Sequence, residues 1–278
     1  MELLERTAKR DPSELFGILF DVNRCIGCRA CQMACKQAHN LPYVPLNQPH
    51  RPRGEAGNWN TPHLTPYDYL VMNAYLAEGK DGETKWRHVR RACMHCVEPI
   101  CFEACFVHAY RKTPEGPVVY MDPGICVGCR YCQLACPFLT IQVEWEEVFS
   151  RISKCPMCYE RVKEGQQPAC VAACPTKALE FGKRGGLLAK ARDRINKNPD
   201  QYVDHIFGEK EVGGTSVLYI SSVPFEELGF SEDIIDKSIP KYTWKYMSKA
   251  PFLAVSLPVA FAALYVYTKK RSGDEDGH

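Results

Sequence analysis

The chain has little net charge. Lys and Arg outnumber Asp and Glu by only two over 278 residues. Nucleic-acid binders gather a strong basic excess into a patch, so nucleic acid is not the expected partner. There is no Walker loop, no dinucleotide fingerprint and no nucleophile elbow, which leaves small-molecule catalysis without a visible home. Met1 to Glu14 is dominated by charge, with no apolar signal core, and no twin-arginine signal precedes the first cysteine. Long apolar runs are also scarce, the one exception being Ala250 to Tyr267. The 8 histidines are scattered. None lies in that apolar run, so the chain is not expected to bind a membrane haem itself.

What is abundant is cysteine. There are 16, against 7 Met and 4 Trp, and that density calls for disulfides, zinc or iron–sulfur clusters. They fall into four groups of four with none left over: Cys25, Cys28, Cys31 and Cys35; Cys93, Cys96, Cys101 and Cys105; Cys126, Cys129, Cys132 and Cys136; Cys155, Cys158, Cys170 and Cys174. Every group opens C-x2-C and closes C-x3-C, and only the middle gap varies. The first and third have the full C-x2-C-x2-C-x3-C spacing of bacterial two-cluster ferredoxins, in which the fourth cysteine ligates the neighbouring cluster. Pro137 and Pro175 supply the trailing proline of that signature, whereas groups one and two carry Lys36 and Phe106. These departures alter loop shape and remove no ligand.

Soft thiolates suit iron, and a cubane takes four of them. A disulfide framework is the poorer reading, because cysteines this close along a loop seldom bridge and the chain exceeds the size that needs stapling. Zinc fits only the fourth group, whose spacing approaches a zinc ribbon. Four [4Fe–4S] clusters are therefore expected, with all sixteen cysteines as iron ligands. Arg29, Lys36, Arg90, Arg91, Arg130 and Lys154 are candidate cations for tuning cluster potentials. His95, between two ligand cysteines, either reaches a sulfur or packs on its loop.

Between groups one and two, Leu41 to Asn60 reads as a proline-rich irregular loop. Tyr67 to Ala77 suggests a strand or short helix, and Lys85 to Arg90 a strand. Pro114-Glu115-Gly116 before Val118, Val119 and Tyr120 suggests a hairpin. Leu187 to Lys197 has helical composition after a Gly185-Gly186 break. Thr215 to Val223 reads as a strand after Gly213-Gly214, and Phe225 to Pro240 as a peripheral segment.

The chain resembles the four-cluster beta subunits of membrane-bound respiratory oxidoreductases, such as quinone-linked formate dehydrogenases and uptake hydrogenases. The matching segments are Cys25-Ile26-Gly27-Cys28-Arg29-Ala30-Cys31, Cys93-Met94-His95-Cys96, Cys126-Val127-Gly128-Cys129-Arg130-Tyr131-Cys132, Gly165-Gln166-Gln167-Pro168-Ala169-Cys170 and Gly213-Gly214-Thr215. The resemblance implies an α+β fold of two bacterial-ferredoxin-like dicluster units, one nested in the other, plus a single C-terminal transmembrane helix. Residues 15–92 and 151–240 would form the outer unit, 93–150 the inner one and 248–269 the anchor. It also implies which thiols share a cluster. Cys25, Cys28 and Cys31 would join Cys174, and Cys155, Cys158 and Cys170 would join Cys35. Cys93, Cys96 and Cys101 would join Cys136, and Cys126, Cys129 and Cys132 would join Cys105.

The same resemblance implies a non-catalytic electron-transfer subunit between a molybdopterin or nickel–iron catalytic subunit and a membrane cytochrome b or quinone-reactive subunit. The alternative is a self-contained ferredoxin-dependent reductase that uses one cluster for substrate chemistry. The arithmetic of four by four leaves such an enzyme no open iron. Ala250 to Tyr267 spans about 27 Å as a helix, near the lower limit for a bilayer core, and a single span in contact with membrane lipid is expected. Lys237, Lys241, Lys245 and Lys249 precede it and Lys269-Lys270-Arg271 follows. The compact trailing cluster favours a cytoplasmic C-terminus, with the cluster domain on the outside, periplasmic face. Export would then depend on a signal-bearing partner.

Overall fold

The computed structural model describes residues 11–42, 63–80, 82–113, 116–121, 123–145, 152–231 and 233–275. Most of the proline-rich loop expected at Leu41 to Asn60 lies outside them. The chain divides into two compact units, Met1–Ser238 and Ile239–His278.

The first unit is organised by strand β1 (Phe16–Asp21), just before the first cysteine group. It pairs antiparallel with β8 (Leu179–Lys183), just after the fourth group, and parallel with β9 (Val217–Ile220). Segments some 160 residues apart thus close one sheet of order β8-β1-β9. Gly17 permits the close approach that this needs, since a Cβ there would sit 2.4 Å from the Ser216 carbonyl oxygen. That oxygen accepts the Ile18 N–H at 2.8 Å.

Alternation along the strands divides their side chains between two cores. Ile18 and Phe20 of β1, with Val217 and Tyr219 of β9, enter a core that also contains Cys31, Cys35, Cys93, Cys155 and Cys170. Leu19, Leu218 and Ile220 face the other way and meet Leu187, Ala191 and Ile195. These last three recur every fourth residue on helix α6 (Arg184–Lys197), which presents one apolar stripe to the sheet. Each large aliphatic buried there contributes roughly 1.5–3 kcal/mol. The helix starts before the expected break, taking Gly185 and Gly186 into its first turn. Ser13 packs against Gly185 so closely that a Cβ would lie 2.9 Å from the serine Cβ.

β2 (Leu70–Glu78) and β3 (Thr84–Ala92) form the hairpin leading to the second cysteine group. β4 (Tyr110–Thr113) pairs antiparallel with β5 (Gly116–Met121), as the turn residues suggested, and β6 (Gln142–Val143) with β7 (Ile152–Ser153). A second core, built on Phe102, Tyr110, Ile141, Val143 and Ile152 with Cys101, Cys105, Cys132 and Cys136, belongs to this inner part. The expected peripheral character of Phe225 to Pro240 is wrong for its first part. Phe225, Leu228 and Phe230 are buried in the main core, where Phe230 lies 4.4 Å from Phe207 between ring centroids. Three apolar residues within six positions were a core signal that the length of the segment concealed.

The second unit comprises α7 (Ile239–Met247) and α8 (Ala250–Glu275). Within Ile239–Lys269 an 18-residue window reaches a mean hydropathy of 1.8 with none of that window buried, which is long and apolar enough to cross a membrane. Its exposed Phe252, Leu253, Val255, Phe261 and Tyr265 are spread around the helix, as a helix solvated by lipid requires. Pro258 lies within the helix.

Lys36, the residue standing where the ferredoxin signature has proline, is buried and bonds Asp68 at 2.6 Å and the carbonyls of Tyr67 and Pro42 at 3.0 and 3.2 Å. Removing the anion alone strands a buried ammonium. Asp68→Asn is expected to lower the stability of the anaerobically purified protein by about 3 kcal/mol, measured as a fall in its urea midpoint, whereas an unchanged midpoint would show the pair to be dispensable.

Candidate metal centres

The four cysteine loops share a backbone rule. The residue just before the second cysteine has positive φ in every group: Gly27 (68°), His95 (49°), Gly128 (70°) and Met157 (54°). This left-handed residue turns the loop back, so that amides face the first sulfur. Met157 N–H donates to Cys155 Sγ at 3.4 Å, and Gly27 N–H does the same for Cys25. Glycine occupies two of these positions at no steric cost, while His95 and Met157 carry a cost of about 1–2 kcal/mol each. At Gly27 space is also restricted, because a Cβ would fall 2.4 Å from the His88 ring.

Each third cysteine rides on a short helix: Cys31 on α1 (Ala30–Ala38), Cys101 on α2 (Ile100–Glu103), Cys132 on α3 (Tyr131–Ala135) and Cys170 on α5 (Ala169–Ala172). Three residues after the fourth cysteine the chain again turns left-handed at His108, Leu139 and Lys177, ending the local structure. In the first group α1 instead continues to Ala38, with Lys36 at the position of the signature proline. α1 packs against α5, joining groups one and four, and α2 packs against α3, joining groups two and three.

Two enclosed cavities lie within this frame. One is bounded by Cys93, Cys96, Cys101 and Cys136 with Lys154 and Thr140. The other is bounded by Cys35, Cys155, Cys158 and Cys170 with Arg90 and His39. In each, three thiols come from one cysteine group and the fourth from a different group. Of the remaining cysteines, Cys31 lies near Cys25 and Cys174. The Cys25 thiol is pushed up to about 11 by burial and by the nearby Cys174 and Cys28. The Cys132 thiol is raised by burial, with Cys105 and Cys126 adding to it. Cys28 and Cys129 are the two exposed cysteines, while both enclosed cavities lie in the interior.

The donor set fits a cluster better than a single ion. None of the sixteen cysteines is in a disulfide. Among the described residues no three His, Cys, Asp or Glu side chains converge closely enough to hold one metal ion. Tetrahedral zinc needs sulfurs about 4 Å apart, whereas a cubane spreads the same four thiolates over its corners. A zinc ribbon in the fourth group would gather Cys155, Cys158, Cys170 and Cys174, yet it is Cys35 that closes the first three.

The candidate cations divide by environment. Arg90 is fully buried and Lys154 nearly so, and these two line the cavities. Lys36 is committed to Asp68. Arg91 stacks on Phe230 and bonds the Leu228 carbonyl at 2.8 Å. Arg130 lies over the Trp145 ring at 3.8 Å, and Arg29 occupies a left-handed position ahead of α1. His95 is buried, and its carbonyl accepts Ser216 N–H at 2.9 Å. With the Val97 N–H to Gly214 carbonyl bond at 2.9 Å, this docks Gly213-Gly214-Thr215 edge-on to the second cysteine loop.

Sequence reasoning missed several residues that touch sulfur. His39 Nε2 lies 3.4 Å from Cys158 Sγ, and burial holds its pKa below the usual histidine range. Thr140 Oγ1 is 3.6 Å from Cys136 Sγ, and Thr176 Oγ1 is 3.8 Å from Cys174 Sγ. The Tyr110 hydroxyl, buried against the Cys132 thiol, has its pKa raised by that burial and by the surrounding thiols. The two threonines follow their cysteines by four and two residues and so were within reach of a local reading. His39 and Tyr110 meet their sulfurs through tertiary packing, and no spacing in the sequence signals them.

Residues 24–109 and 84–184 each match a 4Fe-4S dicluster domain. A protein of Nitratidesulfovibrio vulgaris (strain Hildenborough) is 40% identical over 261 residues, covering 92% of this chain and 67% of its own. Hydrogenase-2 operon protein HybA of Escherichia coli O157:H7 is 30% identical over 94% of this chain and 86% of its own length. The iron-sulfur subunit of the nitrate-inducible formate dehydrogenase of Escherichia coli K12 is 32% identical over 94% and 88%. The chain belongs to this family of 4Fe-4S dicluster iron–sulfur subunits. Two dicluster domains and sixteen cysteines account for four [4Fe–4S] clusters in the dicluster subunit. The two matched stretches overlap at 84–109, so they do not coincide with the helix pairs α1–α5 and α2–α3.

In a dicluster subunit whose cores contain the ligand thiols themselves, cluster-binding free energy becomes folding free energy. Anaerobic removal of iron with a chelator is expected to abolish most of the strand signal in far-ultraviolet circular dichroism and the protease resistance of residues 11–238. A stripped protein that kept both would show that the protein core alone holds the fold.

Proposed function

We propose that this chain is the electron-conducting subunit of a membrane-bound oxidoreductase complex, with four clusters held by nested sets of thiols. The sets are Cys25, Cys28, Cys31 and Cys174; Cys35, Cys155, Cys158 and Cys170; Cys93, Cys96, Cys101 and Cys136; and Cys105, Cys126, Cys129 and Cys132. When bound, each [4Fe–4S] cluster accepts and releases one electron at a time. The chain's own residues hold these stations in order, keep water from the inner two and compensate their charge.

The observation that carries the reading is the pair of enclosed cavities, each bounded by four thiols drawn from two groups. Neighbour relations between the sets support a single file. Cys31 feels Cys170, Cys155 feels Cys93, and Cys101 feels Cys132, which links first to second, second to third and third to fourth. The two exposed ligands, Cys28 and Cys129, fall in the first and last sets, so the file opens to the surface at its ends. Ile26 is exposed beside one end and Val127, Tyr131 and Leu134 beside the other, surfaces suited to partner subunits. Similarity to a hydrogenase-2 operon protein and to a formate dehydrogenase iron-sulfur subunit supports a catalytic partner, and the partner in this reading is of nickel–iron or molybdopterin type. A membrane cytochrome b or quinone-reactive subunit completes the circuit.

Helix α8 anchors the subunit in lipid, with the cluster unit on the periplasmic face and the C-terminus in the cytoplasm. Trp244, Tyr246, Tyr265 and Tyr267, all exposed, suit the two interfaces. In intact spheroplasts, added protease is expected to degrade the cluster unit, and its full protection would refute this placement.

Anaerobically purified protein is expected to contain about 16 Fe per chain and little zinc. In the Cys35→Ser protein the paramagnetic signal of the cluster shared with Cys155, Cys158 and Cys170 should change, and that of the Cys25, Cys28 and Cys31 cluster should not. The reverse pattern would mean that Cys35 closes the cluster of its own group, and the nested map would fail.

A further inference from the structure

Arg90 is an interior cation with no protein counter-charge. It lies on β3 opposite Met72, fully buried, and none of its three guanidinium nitrogens has a hydrogen-bond acceptor. Among the described residues no carboxylate pairs with it. The neighbouring Tyr219 hydroxyl donates to the Arg90 carbonyl at 2.8 Å and leaves the side chain unsatisfied. Other interior cations of this chain are treated differently. Arg184 is bonded to the carbonyls of Thr215, Gly208 and Glu209. Arg194 pairs with Asp21 and Glu180, and Lys36 with Asp68.

A buried, uncompensated guanidinium would cost several kcal/mol, so an anion must face it in the functional protein. Arg90 lines the enclosed cavity together with Cys35, Cys155, Cys158 and Cys170. Four thiolates on an oxidised cubane make a charge of −2, the anion that Arg90 lacks. The fit is local, since Arg90 is the one Arg or Lys among the residues that line that cavity.

We propose that Arg90 is the built-in counter-charge of the cluster held by Cys35, Cys155, Cys158 and Cys170, and that it sets that cluster's reduction potential. The proposal rests on the ligand sets proposed above. One electron arriving from an adjacent cluster takes the site from −2 to −3. No bond forms or breaks and no proton moves. Burial opposes the added charge, and a fixed cation opposes burial, more strongly here than it would beside the exposed Cys28 or Cys129, where water screens. Arg90 is thus a positioning residue for charge, acting on the cluster without ligating it.

The test is a potentiometric titration of the purified protein with dithionite, followed by electron paramagnetic resonance, on the wild type, Arg90→Gln, Arg90→Lys and Cys35→Ser. In Arg90→Gln one of four transitions should move down by at least 59 mV, a tenfold loss in the reduced-to-oxidised ratio for a one-electron couple. It should be the transition that Cys35→Ser also alters, and Arg90→Lys should restore it. A Gln variant that loses a quarter of the iron while the Lys variant keeps all of it has the same meaning, because the uncompensated cluster is then not held. Unchanged potentials in Arg90→Gln, equal shifts in the Gln and Lys variants, iron loss in both, or a shift in a different transition would each overturn the proposal. Fewer than four transitions in the wild type would instead overturn the ligand sets beneath it.

Discussion

Placing several negative charges inside a small protein is the constraint that the rest of this structure answers. Thiolates on iron carry charge into a medium that water does not reach, and each layer of the fold offsets part of that cost. Left-handed turns at Gly27 and Met157 aim their amides at the sulfurs of Cys25 and Cys155. Neutral donors such as Thr140 and Thr176 stand within 4 Å of particular sulfurs. Beyond them, Arg90 and Lys154 bring full positive charge to the two cavities most removed from solvent. The exposed ligands Cys28 and Cys129 belong to the sites where solvent does part of the same work.

The strands serve this arrangement more than they form a core of their own. β1 and β8 pair directly beside groups one and four, so their register controls how closely α1 and α5 approach. The Gly213-Gly214-Thr215 segment, far along the chain from any cysteine, is pinned against the loop of the second group through His95 and Val97. One side of the sheet packs on ligand thiols, the other on the apolar stripe of α6. A shift of one residue in β1 would exchange these two faces, which makes the sheet a register device for the metal sites.

Local chemistry was easy to read and non-local packing was not. The C-x2-C openings, the trailing prolines and the glycines at 27 and 128 all act within a few residues, and the loops formed as those signals require. The hairpin β4–β5 was legible for the same reason. The break expected at Gly185-Gly186 did not occur, because packing of Ser13 against Gly185 absorbs two poor helix formers into α6. The core signal of Phe225, Leu228 and Phe230 is diluted when the stretch to Pro240 is read as one segment, because the residues after Phe230 are mostly polar or charged.

Legible in the sequence by itself were sixteen cysteines in four spaced groups, the type of cluster they suit, and the apolar C-terminal run, since each depends on residue type and short spacing. Spacing left open which thiol completes each trio; the family resemblance implied it, and only the tertiary structure brings Cys136 and Cys35 to the two cavities and selects Arg90 and Lys154 from six candidate cations. The reason is that a loop can converge only three sulfurs. The fourth, and the charge that balances them, arrive from segments brought together by strand pairing across more than half of the chain.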